Sequence, residues 1–384
     1  MKSFAFKEEQ ISRVIGAASA DELARRFNRH IDFLTIASWT QDTKLERGGM
    51  ALTAAEKTAC AERAATMFGF APDFLKQEPA DKISDWARSL SNALASKLVS
   101  FSFKPAARSN QDIAYQHRAD AIFQDAAAAA NVLYGRRRLL SFVAPHSLLG
   151  IELSILTPNL LGVESVDARG MTPDVLSKSL LFGDVLVATP TLWRYMMQEK
   201  LKAPDNTLAV SFGEPMTPEL AVEMRKSGFG VLRELYGSTE TGLIGWRDTP
   251  GEAFALFDHW RKAGDDLMRI MPDSTEELVE PMDILQWDGE RSFALSGRRD
   301  GAVQIGAVNV FPDVVSNALR SHPHIKECEI VVGRRSDGAS RLVAHIVLSE
   351  KVQPNERTAR DIDTWCRANL RQQERPQIYN FEAP

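Results

Sequence analysis

The apolar positions change their spacing twice along this chain, and the two changes divide it into three stretches. In "DKISDWARSLSNALASKL", residues 81–98, Ile83, Trp86, Ala87, Leu90 and Leu94 recur every three or four positions, the apolar stripe of one helix. The alanine-rich stretch 52–69 also reads as helix, and no strand is expected before about residue 98. Short apolar or β-branched runs then take over: "LLSFVA" (139–144), "LLGVESV" (160–166), "DVLVAT" (184–189), "TLAVSF" (207–212) and "VLRELYG" (231–237). Helical patterns separate them. This alternation predicts parallel strands joined by helical crossovers, an α/β sheet covered on its faces.

Beyond about residue 297, "AVQIGAVNVFP", a helix over 313–321, "KECEIVVGRR", "RLVAHIVLSE" and a helix around 357–371 suggest a compact α+β unit. The expected organisation is a helical segment over 1–97, an α/β core over 98–296 and a small C-terminal domain over 297–384. "LSGRRDG" (295–301) is the turn-forming junction between the last two.

Ligands of parallel sheets sit at the carboxyl ends of the strands. "SFGEPM" (211–216) and "YGSTE" (236–240) both fall at such ends. Gly213, within Gly213-Glu214-Pro215, lets a flat base approach the backbone. Tyr236 offers an aromatic face, Gly237, Ser238 and Thr239 offer NH and hydroxyl donors for phosphate, and Glu240 can hold a hydrated Mg2+. Downstream, Asp283 stands fourteen residues before Gly297 and the Arg298/Asp300 pair. A carboxylate accepts two hydroxyls of a ribose, and an arginine neutralises phosphate.

Four motifs in this order, spread over 98–384, resemble the adenylate-forming superfamily of acyl- and aryl-CoA ligases, luciferases and peptide-synthetase adenylation domains. The nearest look-alikes are short bacterial ligases of the 4-coumarate/hydroxybenzoate type. The resemblance implies that Tyr236 and Gly213-Glu214-Pro215 flank adenine, Thr239 touches the α-phosphate, and Glu240 ligates Mg2+. It further implies that Asp283 takes the ribose diol, Arg298 sits near ribose and phosphate, and Asp300 is the hinge of a C-terminal lid. "APHSLLG" (144–150) looks like the family's acyl-pocket segment, with His146 kept and Ser147 in place of a second histidine. "FDHWRK" offers His259 and Trp260 as weaker candidates for the same pocket.

Four features depart from the family pattern. Its phosphate loop is rich in Gly, Ser and Thr and ends in lysine, whereas "FKPAARSNQDIAYQH" (103–117), ending at the marker His117, contains no glycine. Such a stretch cannot present successive NH groups as a glycine-rich loop does, which leaves Arg108, with Ser109, as the candidate replacement. The family also uses a lysine near its end, and no lysine follows Lys351 here. Ala307 stands where relatives carry glycine beside the thioester tunnel. The part before the phosphate loop is short, so the α/β core is expected to be truncated, with "GGMALTAAE" (48–56) in a structural helical cap.

A net charge of −5 excludes whole-surface electrostatic binding to nucleic acid. Arg136-Arg137-Arg138 reads as a solvated helix end or a docking spot for a phosphate-bearing partner. Cys60, Cys328 and Cys366 are too few and too dispersed for a disulfide framework. With no signal-peptide core and no apolar run of membrane-spanning length, a cytoplasmic protein is expected. The combined expectation is an enzyme that uses ATP and Mg2+ to activate a small aromatic carboxylic acid. CoA, a carrier-protein thiol or an amine would be its acceptor. The alternatives are a relative that has lost adenylation and carries out condensation or cyclisation, or a non-catalytic nucleotide- or acyl-binding partner.

Overall fold

The computed structural model describes residues 6–382 apart from 78, 96–97, 106–112, 249, 307, 336–337 and 351. Helix α1 (Glu8–Phe27) carries Ile11, Val14, Ile15, Ala18 and Leu23, each sealed from solvent. The short α2 (Phe33–Ser38) buries none of its residues. α3 (Ala54–Met67) starts on a reciprocal cap: Thr53 Oγ1 accepts from the Glu56 N–H, and the Glu56 carboxylate accepts from the Thr53 N–H. α4 (Ile83–Leu94) buries the stripe read from the sequence. The hairpin of β1 (Ser100–Phe103) and β2 (Tyr115–Arg118) then slides Phe101 and Phe103 beneath these helices, both 0% exposed. Each buried ring contributes about 2 kcal/mol. The same core continues through Ile122 and Ala126 of α5 (Ala119–Val132) and through Leu148 and Ile151 of α6 (Leu148–Ile151). The helical part thus shares one apolar core with the first helices of the α/β region.

β3 (Arg138–Ser141), β4 (Glu164–Asp167), β5 (Asp184–Ala188), β6 (Thr207–Ser211), β7 (Phe229–Ser238), β8 (Gly242–Arg247) and β9 (Phe254–Leu256) belong to one sheet. β10 (Trp260–Ala263), β11 (Asp266–Ile270) and β12 (Glu276–Val279) form a small antiparallel sheet. β13 (Asp283–Trp287) and β14 (Ser292–Arg298) return to the large sheet, whose nine strands run in the order β13-β14-β9-β8-β7-β6-β5-β3-β4. Pairing is parallel from β4 to β7 and antiparallel beyond.

Every residue of β5 and β6 is buried. Val185, Val187, Leu208 and Val210 enter one core, and Leu186, Ala188 and Ala209 enter the other. A parallel sheet covered on both faces requires such unbroken apolar runs. α6 passes through a π-turn at Glu152–Leu156 into α7 (Thr157–Leu161). Three crossover helices, α8 (Pro173–Ser179), α9 (Pro190–Gln198) and α10 (Pro218–Lys226), begin alike. Thr172, Thr189 and Thr217 cap the N–H three residues on, and a proline fills the first helical position, where no N–H is needed. The tri-arginine run is not a solvated helix end. Arg138 opens β3 with a bidentate grip on buried Asp184, and Arg136 bonds the Asn206 carbonyl.

The C-terminal unit has its own core around Leu319, Ile346, Ile362 and Cys366. It comprises the β15 (Val303–Ile305) and β16 (Val308–Val310) hairpin, α11 (Pro312–Leu319), antiparallel β17 (Ile325–Arg334) and β18 (Ser340–Leu348), and α12 (Glu356–Asn369). The two helices fall where the sequence placed them. β19 (Ile378–Glu382), parallel to β18, was not expected, because five residues of mixed polarity leave little alternation to read. Cys60, Cys328 and Cys366 are free and buried.

Candidate functional site

β7, the middle strand of the nine, ends with Tyr236, Gly237 and Ser238, and β8 returns from Gly242. The turn between them requires glycine at two positions. A Cβ on Gly237 would stand 2.3 Å from the Gly242 carbonyl oxygen, and one on Gly242, where φ is +81°, would stand 2.2 Å from Asp125 Oδ2. The hydroxyl groups of Ser238 and Thr241 bond each other at 3.1 Å. His117 Nε2 donates to the Thr239 carbonyl at 2.8 Å, which fixes the ring's tautomer. Among the described residues no hydrogen bond or ion pair engages the half-exposed Glu240 carboxylate, so it is open to a cation.

The Tyr236 ring packs between Phe254 and Phe293, with centroids 5.5 and 5.4 Å away, and is only 8% exposed. Its hydroxyl donates to Asp283 Oδ2 at 2.7 Å. Burial, and next the Asp283 charge, hold the phenol well above its ordinary pKa, so it remains a donor. Asp283 and Arg298 are cross-strand partners on β13 and β14, and Arg298 Nη1 lies 3.3 Å from Asp283 Oδ1. The same guanidinium clamps Asp300 at 2.9 and 2.6 Å. One polar chain therefore runs from Tyr236 through Asp283 and Arg298 to the junction with the C-terminal unit.

The Gly213-Glu214-Pro215 turn follows β6, with Gly213 at φ +86°. Glu214 Oε1 accepts from the Thr191 N–H and hydroxyl at 2.7 and 2.6 Å, tying this turn to the start of α9. In the 144–150 segment Ser147 is a helix cap, accepting from the Gly150 N–H at 3.0 Å. A Cβ on Gly150 would lie 1.9 Å from the Ala144 carbonyl oxygen, so glycine is required there. His146 Nε2 stands 4.0 Å from Asp21 Oδ2 on α1. Burial, reinforced by Arg63, Arg169 and Arg25 against the opposing pull of Asp21, lowers the His146 pKa to about 4. The imidazole is neutral at pH 7.

No family model matches the chain. It is 31% identical over 266 residues to a 4-coumarate–CoA ligase from Halorhodospira halophila, covering 68% of this chain and 66% of the relative. A second 4-coumarate–CoA ligase, from Rhodobacter capsulatus, is 30% identical over 63% of this chain and 60% of its own. The fold is similar to that of the amide bond synthetase McbA from Marinactinospora thermotolerans, at 17% identity and a TM-score of 0.59, covering 73% of this chain and 65% of McbA. It is also similar to a malonyl-CoA ligase bound to methylmalonyl-CoA and AMP, at 16% identity and a TM-score of 0.60, covering 73% and 70% of the two chains. The chain belongs to the adenylate-forming superfamily. It spans between 56% and 66% of the length of the three 4-coumarate–CoA ligases it matches.

In this member of the superfamily, Tyr236, Gly237 and Ser238 end β7, Thr239 and Glu240 follow in the turn, and Asp283 and Arg298 of β13 and β14 join them through the Tyr236 hydroxyl. Gly213, Glu214 and Pro215 lie at the end of the neighbouring strand, and His146 lies beyond β3. Arg108, Ser109 and Ala307 fall outside the described residues. Trp260 is fully buried, with its indole N–H on the Leu243 carbonyl at 2.7 Å, and His259 is 8% exposed beside Asp125. Both lie under the 238–243 turn. Sequence reasoning missed Asp21, Asp125, Glu152 and Arg269. Each is an ordinary charge in a helix or strand, and only the fold shows Asp125, Glu152 and Arg269 to be buried and Asp21 to face His146.

Proposed function

We propose that this chain uses ATP with Mg2+ to activate a small aromatic carboxylic acid and passes the acyl group to a thiol or an amine. The observation that carries this reading is the chain Tyr236–Asp283–Arg298 near Glu240, whose carboxylate is unengaged among the described residues. It combines a hydroxyl-binding carboxylate, a fixed cation and a metal-accepting carboxylate around the carboxyl end of β7. The acid's carboxylate oxygen bonds to the α-phosphorus, the bond to pyrophosphate breaks, and acyl-AMP results. The thiol or amine then adds at the acyl carbon, AMP leaves with the bonding pair, and the nucleophile loses its proton. In this reading Thr239 and Arg298 face the phosphate and ribose, and neutral His146 borders the acyl pocket. Glu240 would hold Mg2+, which supplies charge neutralisation to the phosphates. The relatives named as CoA ligases and the fold shared with an amide bond synthetase support an acid activated for transfer, and thiol and amine acceptors are both consistent with them.

The glycine-free stretch before His117 favours a second reading, in which nucleotide binding persists but adenylation does not. Pyrophosphate exchange across a panel of aryl acids, with mass detection of acyl-AMP, separates the two. Acid-dependent exchange is expected. Product formed without ATP consumption would instead establish the second reading.

A further inference from the structure

Beneath the 238–243 turn lies a cluster of ionisable groups that the proposed chemistry does not use. Asp125 of α5 and Glu152 of the π-turn are both 0% exposed, Arg269 of β11 is 3% exposed and His259 is 8% exposed. Arg269 Nη2 donates to Asp125 Oδ1 at 2.6 Å and to the Ala121 carbonyl at 2.7 Å. Its Nη1 reaches the Thr241 carbonyl at 3.3 Å. Asp125 Oδ2 accepts the Leu243 N–H at 3.0 Å. With His117 on the Thr239 carbonyl, the backbone is held at three alternate residues, 239, 241 and 243, all from the buried side.

We infer that Asp125 and Arg269 are positioning residues for the ligand-binding turn, setting where Thr239 and Glu240 stand, with Glu152 as the acid that completes their grip. The inference rests on the reading of this turn as the Mg2+- and phosphate-facing site. The charges leave one arrangement. One guanidinium faces two buried carboxyl groups, and neither Glu152 oxygen meets a donor. Burial, and after it the Asp125 charge, push Glu152 well above the usual carboxylate range, with Arg269 opposing. On this inference Glu152 keeps its proton and turns it toward Asp125. His259 Nε2 lies 2.9 Å from Asp125 Oδ1 but off the line of a hydrogen bond, so it adds packing at that oxygen. The steric limit at Gly242 is part of the same device: the turn backbone rests directly on the Asp125 carboxylate.

The test is the gain in ATP affinity on adding Mg2+, measured by calorimetry on the full chain. Asp125→Asn should cut that gain by about 10- to 100-fold, the usual cost of losing a group that orients a metal ligand. Affinity for ATP without Mg2+ should move far less. Glu152→Gln, which has the shape of the protonated acid and still donates to Asp125, should retain most of the gain, whereas Glu152→Ala should not. Hydrogen exchange over residues 236–246 should quicken in Asp125→Asn and Glu152→Ala but not in Glu152→Gln. If Asp125→Asn does not fold, Arg269→Lys, which keeps the charge but not the forked grip, serves the same measurement. A folded Asp125→Asn with the full Mg2+ gain would overturn the inference, as would a Glu152→Gln as impaired as Glu152→Ala. Failure of the unaltered protein to bind Mg2+ and ATP would overturn the functional reading itself, and the inference with it.

Discussion

Asp283 stands between a phenol and a guanidinium, so its removal strands two donors at once. Asp283→Ala is expected to weaken ATP binding by about 1–3 kcal/mol, the scale of a charge-assisted hydrogen bond, as measured by calorimetry. His146 carries a different prediction. Its pKa is lowered from 6.5 to about 4, so the unfolded chain takes up a proton first as the pH falls. Stability attributable to this residue is intact above about pH 6.5 and declines through the window down to pH 4, by roughly 3 kcal/mol in all. Chemical unfolding at pH 7 and pH 4.5 should show a smaller pH-dependent loss in His146→Asn than in the unaltered protein. The residues that sequence alone located are those packed into short signatures: Tyr236 to Glu240, Gly213 to Pro215, and the Asp283/Arg298 pair. Asp125 and Arg269 are 144 positions apart and were not legible, because nothing local distinguishes a buried aspartate from a solvated one.

Elements were legible where their periodicity was long or their ends were marked. The α4 stripe, the five parallel-strand runs and the two C-terminal helices carry such signals, whereas β19 does not. The crossover helices owe their start points to the Thr-Pro pairs. Thr217→Ala should therefore cost about 1 kcal/mol of unfolding free energy by denaturant titration, with little effect on any ligand. The β7–β8 turn is less forgiving. Gly237→Ala forces a methyl group into the Gly242 carbonyl, so loss of Mg2+-dependent ATP binding should accompany a lower melting temperature.

At the scale of the whole molecule, the spacing of apolar positions reads residues 1–97 as a helical segment, and the core is continuous across its end. Phe101, Phe103, Ile122, Ala126, Leu148 and Ile151 are buried in the same cluster as α1, α3 and α4. Removing residues 1–95 would expose all six. The shortened chain should be insoluble or should lose its cooperative unfolding transition, which circular dichroism would show. The helical part is thus needed for the fold of the region that bears the site, and its Asp21 also faces His146.

The three buried cysteines have a practical consequence. Burial raises the Cys60 thiol to about 12 and the Cys328 thiol to about 11, and it lifts that of Cys366 as well. Thiolates are what alkylating dyes attack, so the native protein should be nearly silent to maleimide at neutral pH. A cysteine placed on each side of the Asp300 junction, at exposed Val332 and exposed Tyr134, would then take up donor and acceptor dyes cleanly. Energy transfer between them would report any movement of the C-terminal unit as each ligand is added.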